Sequence, residues 1–460
     1  MNLKNNLALL CYWLFLIGIF GCQKDFLEKK PATNISVPNN LDELQLLLNN
    51  SNALNRSPVL GELSADDYYM TSAEFGNQFL PYYANTYVWA ADIFAGGVNI
   101  NDWNQPYTQV LYSNVILEQL QHIERTPANA ANFDRIKGTA HFLRAWSFFD
   151  LAQVFAMPYQ PQSATVDLGI PLRLKSDINV STKRANLAET YAQILADADQ
   201  AKKLLPSAVA LPYGSVPARN AAYAFLARVH LTMRNYELAT RYADSALMIR
   251  SVLIDYNTLS TTAVAPMGIS HDEMIFQSYL AQANPASNVI TTIGYSIDSL
   301  LYQSYHNNDL RRSIFFQVTG KNINKKRGYS GSTLLSNGLA TDEMYLVRAE
   351  GNARSGQLER ARSDINTLLI KRYKSGTYVP VSGLDQETLL KLILTERRKE
   401  LVWRGLRWND IRRLNLEGRG IELSRNINGM AYTLLPNDRR YALPIPPDVV
   451  ALSGIVQNDR

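Results

Sequence analysis

Cysteine is nearly absent from this chain: two among 460 residues, at positions 11 and 22. No internal disulfide framework can be built from that pair once the N-terminal segment is removed, so the fold must be held by its core. Histidine is scarce as well. His122, His141, His230, His271 and His306 show no metal-ligand spacing, and no cysteine pair accompanies them, which argues against a zinc site. The chain has no GxSxG elbow and no glycine-rich phosphate loop, and no cofactor is expected. Gly-Tyr-Ser-Gly-Ser at 328–332 lacks the strand–turn–helix context of a nucleophile turn. No apolar run approaches the ~20 residues of a spanning helix. The net charge is only +5, without a basic tail or arginine strip, so a nucleic-acid partner is not expected.

What the chain does have is length and apolar content. With 460 residues, 46% of them hydrophobic, it can bury one large core or two fused ones. It opens on a short apolar run, Leu7 to Phe20, preceded by Lys4 and ending at Gly21-Cys22. That pattern is a secretory signal covering residues 1–21. Ile19-Phe20-Gly21-Cys22 resembles a bacterial lipobox with a bulky second position. The expected cut falls before Cys22, which would carry lipid and tether the mature chain to a membrane without spanning it.

Helical signal appears first over SVPNNLDELQLLLNN (36–50), with Asn40 as N-cap. Residues 51–108 read as loops and turns, rich in aromatics from Tyr68 and Tyr69 to Trp103 and Tyr107. Helices are expected again over Val110–Ile123 and Asn132–Phe155, where Leu143, Trp146, Phe149 and Gln153 fall three or four apart. Asn186 and Glu189 form a capping-box start for a helix that stops at Pro206.

The chain also repeats itself. In 222–247, Ala227 and Ala239 are twelve apart; in 344–369, Ala349 and Ala361 are too. Ala246 and Leu368 each follow by seven. Small residues so placed let two antiparallel helices approach closely, as in a tetratricopeptide pair. Two such pairs predict a mostly α, helix-pair scaffold, and the Asn132 helix is a candidate start for a third. Residues 251–340 turn irregular, with a hairpin expected over VTGKNINKKRGYSGSTLL and turns at Gly320 and Gly328. The last helical block is expected from Glu387 to Leu414, before a Pro-broken, extended end.

Two sets of residues are candidates for chemistry. Glu396 and Glu400 share a helix face near Trp403, Trp408 and Asp410, an arrangement that could serve glycoside hydrolysis. Seven neighbouring cations, among them Arg397, Arg398 and Lys399, favour an ion-pair network instead. The loop aromatics carry more: flat rings stack on sugar faces while tyrosine hydroxyls and nearby Asn or Asp supply hydrogen bonds. Tyr82 and Tyr83 are the first candidates for stacking on a ligand, with Tyr68 and Tyr295 after them. They lie in two insertions, 51–102 and 251–340, which a rigid scaffold could position.

Several segments match one family in order. CQKDFLEKKP, Trp103-x3-Tyr107, KGTAHFLRAWSFFDLAQVF, HNNDLRRSIFF, DEMYLVRAEGNARSGQLERARSDIN, ILTERRKELVWRGLRWNDIRRL and the final LPIPPDVV…QND resemble the SusD/RagB family of nutrient-binding lipoproteins. The chain departs from the family at VWRG and in lacking a Gly-rich approach to its end. The resemblance implies a SusD-like fold, tetratricopeptide-like pairs with loop-rich insertions. Its expected regions are a signal peptide at 1–21, an N-terminal region at 22–250, a ligand-face insertion at 251–340 and a C-terminal region at 341–460. It implies a surface-exposed lipoprotein of the outer membrane, attached through Cys22, that captures a glycan or, in some members, a peptide. The partner implied is a SusC-like TonB-dependent transporter, and no enzymatic activity is implied.

Overall fold

Small residues at helix crossings and good N-caps decide where the long helices lie. The computed structural model describes residues 38–50, 53–78, 80–207, 214–280 and 295–460. Residues 1–37, with the expected signal segment and Cys22, lie outside the described residues. Asn40–Arg460 forms one compact unit. Ten helices of eight or more residues occur among the described residues. They are α1 (Leu41–Leu48), α2 (Asn101–Gln119), α3 (Ala130–Phe155), α4 (Leu187–Leu204), α5 (Arg219–Thr232), α6 (Tyr236–Ile249), α7 (Thr341–Arg354), α8 (Leu358–Leu369), α9 (Gln386–Glu400) and α10 (Arg407–Asn415).

Both expected helix pairs are present, as α5–α6 and α7–α8. Ala227, Ala239, Ala246, Ala349, Ala361 and Leu368 are fully buried at their crossings. The turns run through left-handed residues, Arg234 at φ 60° and Gly356 at φ 75°. Gly351 lets α7 lie against α6: a Cβ there would sit 1.8 Å from Thr240 Oγ1. The α3 helix packs between α2 and α4. Its Phe142 and Trp146 meet Phe225 and Phe276, with Phe142–Phe276 centroids 4.8 Å apart. Asn186 starts α4 as a full capping box: Glu189 N donates to its side chain at 2.8 Å, and its own N donates to Glu189 at 3.0 Å.

Three local expectations need correction. The helix expected from Val110 begins at Asn101, with Pro106 inside it. Trp103 and Tyr107 therefore belong to that helix, although its polar buried positions (Asp102, Gln109, Ser113, Asn114) hide the apolar period. The block 387–414 is two helices. Trp403 (φ 56°) and Gly405 (φ 69°) turn the chain between α9 and α10, and a Cβ on Gly405 would lie 3.1 Å from Leu280 and Asn337. Near the C-terminus a short helix, Pro447–Ser453, interrupts the extended end.

Strands are short and paired in twos. They are β1 (Arg56–Ser57), β2 (Tyr68–Tyr69), β3 (Leu168–Pro171), β4 (Arg184–Asn186), β5 (Met274–Phe276), β6 (Tyr279–Leu280), β7 (Ser296–Ile297), β8 (Phe316–Thr319), β9 (Asn322–Lys325), β10 (Leu339–Ala340), β11 (Leu423–Ile427) and β12 (Met430–Leu434). The expected hairpin is β8–β9, turning at Gly320; at Gly328 there is a tight turn but no second hairpin.

Candidate functional site

The two insertions singled out by their aromatics meet. Strand β2 pairs antiparallel with β7, setting Tyr68 opposite Ile297 and Tyr69 opposite Ser296. Strand β1 pairs with β6 beside them. Successive strand residues face opposite ways, so Tyr68 points inward and is 1% exposed while Tyr69 points out and is 41% exposed.

The four tyrosines expected to stack on a ligand lie together beneath this face. Tyr68 packs on Tyr87 and Tyr295 at 5.5 and 5.4 Å, and Tyr82 meets Tyr83 edge-on at 4.7 Å. Tyr68, Tyr83 and Tyr295 are at most 3% exposed and Tyr82 is 8% exposed. The expectation of open stacking faces on Tyr68, Tyr82, Tyr83 and Tyr295 is therefore corrected: ring-on-ring packing consumes those faces, and the rings form a bed. Tyr68 Oη donates to Leu63 O at 2.8 Å, and Tyr295 Oη donates to Gln78 Oε1. Burial pushes the phenols of Tyr68, Tyr82 and Tyr295 up, so they stay neutral donors at physiological pH. Above the bed, Tyr69 and Asn77 face outward, with Glu74 and Gln78 half-buried; Glu74 accepts from Thr71 N at 2.6 Å. A groove of about 520 Å³ borders helix 299–304, next to β7, with Leu300, Lys391 and Leu394 on its walls.

Distant cations hold this face in place. Arg407 grips Asp66 through two bonds of 2.6 and 2.9 Å. Arg398 donates to Asp67 Oδ1 at 2.9 Å and to Asp66 O at 2.8 Å. Burial alone would raise the Asp66 carboxyl; Arg407 and Arg398 overcome it and hold that group below the usual carboxylate range. Gly405 N donates to Glu62 Oε2 at 2.7 Å. Asp102 accepts from Val59 and Leu60 amides at 2.6 and 2.9 Å, anchoring the start of the short helix 60–64. Burial pushes the Asp102 carboxyl up to about 6 despite those bonds. Arg425, from β11, lies over Tyr87 and Trp89 at 4.4 and 4.9 Å.

Glu396 and Glu400 sit elsewhere, inside an ionic cluster. Glu396 accepts from Arg311 at 2.5 Å and Lys399 at 2.8 Å. Glu400 accepts from Arg311 at 2.9 Å and Arg372 at 2.7 Å. Every carboxylate oxygen thus faces a cation. The void that Glu400 borders holds about 20 Å³, room for a water and not for a sugar ring. Neither acid is placed to protonate a glycosidic oxygen. Among the described residues no group of three or more His, Cys, Asp or Glu side chains could hold a metal ion, and no helix is long and apolar enough to cross a membrane.

The residues missed from sequence are Tyr69, the outward partner of Tyr68, and the pair Arg398–Arg407. The first had a signal, a Tyr-Tyr step in a strand-length segment between turns. The second had none, because its partners lie 331 and 341 residues away.

Comparison with known proteins fits this architecture. Residues 25–231 match a family model described as SusD-like, starch-binding and associating with the outer membrane, and residues 254–459 match the SusD family model. SusD-like protein P2 of Formosa agariphila is 25% identical over 78% of this chain and 79% of its own length. A SusD superfamily protein of Bacteroides thetaiotaomicron superposes with a TM-score of 0.73 at 22% identity, covering 91% of this chain and all of that one. A SusD-like carbohydrate binding protein of Bacteroides vulgatus gives 0.67 at 19% identity, covering 91% of this chain and 97% of its own. With consecutive models matched from residue 25 to residue 459 and the same helix-pair scaffold beneath, the chain belongs to the SusD/RagB family.

Proposed function

We propose that this protein captures an oligosaccharide at the cell surface and passes it to a TonB-dependent outer-membrane transporter. The observation that carries the reading is the junction of the two insertions, which turns Tyr69 outward over a rigid bed of tyrosines. An exposed ring with amide neighbours, Asn77 and Gln78, suits a sugar, whose faces are apolar and whose rim is all hydroxyl. The family description, starch-binding and associating with the outer membrane, supports the same ligand class and location. So does the carbohydrate-binding relative from Bacteroides vulgatus. Lipid at Cys22 would supply the anchor. The role is capture, not turnover, because the acids best placed by sequence are locked by arginines.

The test is calorimetry of residues 40–460 against an oligosaccharide array, with a peptide array beside it. Glycan binding is expected, and Tyr69→Ala should weaken it by about 0.5–1.5 kcal/mol beyond the lost contact area, without moving the melting curve. The double variant Tyr82→Ala, Tyr83→Ala should instead lower the melting temperature. Binding of peptides alone would redirect the reading, as would a Tyr69→Ala protein of full affinity. Cys22→Ala in cells should abolish lipid labelling and release the protein from the surface.

A further inference from the structure

A second groove lies between α2, the loop 172–183 that joins β3 to β4, and the helix 447–453. It encloses about 640 Å³, within the range of pockets that hold small ligands. Its composition differs from that of the tyrosine-bedded face. The aromatic residues in its wall are little open: Trp103 is 5% exposed and packs on Tyr107 and Phe155, each at 5.0 Å, and Tyr107 is half-buried. Tyr107 Oη is spent on Pro171 O at 2.8 Å. What the groove offers is aliphatic. Ile178, Val180 and Leu452 line it while 72%, 44% and 89% exposed. Apolar side chains this open, gathered at one groove, mark a place that something covers.

The charge is one-sided. Arg173 and Lys175 are the charged residues lining the groove, and no carboxylate does. The nearby acids are engaged elsewhere: Glu118 accepts from Ser176 N at 2.8 Å and from its hydroxyl, and Asp177 accepts from Asn179 N at 2.9 Å. Lys175 makes no side-chain hydrogen bond or ion pair among the described residues. The cationic stretch is also built in. Asn114, buried in α2, donates to Arg173 O and Lys175 O at 3.0 and 3.1 Å, and its Oδ1 accepts from Arg144 at 2.9 Å.

We propose that this groove is a second binding site, for an anionic amphiphile, with its aliphatic chain along Ile178, Val180 and Leu452 and its carboxylate at Arg173 and Lys175. A sugar would find no open ring here, and a cationic or neutral chain would leave both cations without a counter-charge. The occupant is a free fatty carboxylate, whose single chain and head suit a groove of about 640 Å³ with two cations in its lining.

Calorimetry of residues 40–460 with dodecanoate, kept below its micellar concentration, tests this against dodecyltrimethylammonium, which carries the same chain with the opposite charge. Vesicles of phosphatidylglycerol, against phosphatidylcholine, report the membrane source. Saturable binding of dodecanoate is expected, with the cationic chain about tenfold weaker or more, and binding of phosphatidylglycerol vesicles without dodecanoate would overturn the proposal. Lys175→Glu, at an exposed position, should lower affinity severalfold at an unchanged melting temperature, and adding Arg173→Gln, which also removes the bond from Arg173 to Asp177 O at 2.9 Å, should bring the loss to about tenfold. Leu452→Asp, at a fully open position, should also weaken it, and Tyr69→Ala should not. Equal binding of the two charged chains, or charge reversal without effect, would overturn the proposal. So would capture of an acidic peptide in place of either amphiphile.

Discussion

The helix pairs and the ligand face are built by opposite means. In the pairs, partners are neighbours in sequence: α5 packs on α6 and α7 on α8 across turns of a few residues, through buried alanines. In the face, partners are hundreds of residues apart; charge joins Asp66 and Asp67 to Arg407 and Arg398, and a backbone hydrogen bond joins Glu62 to Gly405. A surface that must vary its ligand cannot rely on a repeating apolar seam. It can rely on buried bidentate ion pairs, which fix loops in direction as well as position.

Cutting the ionic side should have the largest effect. Arg311 is fully buried and bonds Asp309, Glu396 and Glu400 together. Arg311→Ala leaves three buried carboxylates facing one another and should cost about 3–5 kcal/mol, measured by denaturant unfolding. Glu396→Gln removes one negative charge and keeps the shape, and should cost less. An Arg311→Ala protein as stable as the parent would mean the cluster is decoration.

Next comes the pH dependence of the loop anchor. The Asp102 carboxyl sits at about 6 in the fold against 3.8 for an ordinary Asp, because burial favours its neutral form. Between those values the unfolded chain has lost the proton that the folded chain keeps. Its stabilising contribution is therefore complete below about pH 4 and is lost as pH rises through 6. The loss is on the order of 2–3 kcal/mol. Asp102→Asn keeps an acceptor for Val59 and Leu60 and should remove that slope, which unfolding curves from pH 4 to 7 would reveal. A slope that persists in the variant belongs to another group.

The smallest effect is expected where one helix pair lies against the next, at the crossing of α6 and α7. Gly351→Ala should cost about 1–3 kcal/mol in melting experiments by forcing α6 from α7, although alanine is the better helix former. Thr240→Ala added to it should restore part of that loss, since Thr240 Oγ1 is the atom met first. Full additivity of the two changes would show that the helices do not meet through these residues.

This contrast also explains what could be read in advance. Alanines spaced by twelve and seven, the Asn186–Glu189 cap and the turn at Gly320 are local signals, and each lies where it was expected. The start of α2 was hidden because its inward face carries Asp102, Gln109, Ser113 and Asn114; Asp102, Gln109 and Asn114 are supported by hydrogen bonds with distant backbone, and Ser113 donates to Gln109 O within the helix. The break at 401–406 was hidden by helix-forming arginines and leucines, and only Gly405 hinted at it. The tyrosines were recognised as a group, but their direction was not legible. Tyr68 and Tyr69 are adjacent and chemically identical; pairing with Ile297 and Ser296 decides which of them is core and which is surface.

The long reach from Asp67 to Arg398 sets an order of assembly. As the chain is made, residues 66–69 emerge first and wait. Their strand partner at 296–297 follows after more than half the chain, and the guanidinium groups that fix them arrive later still. A fragment ending before Arg398 can close the α5–α6 pair, whose contacts are all local, yet it has no means to lock the ligand loop. Loop closure over such a distance is slow compared with helix pairing. The tyrosine-bedded face therefore cannot be locked until Arg398 and Arg407 have been made.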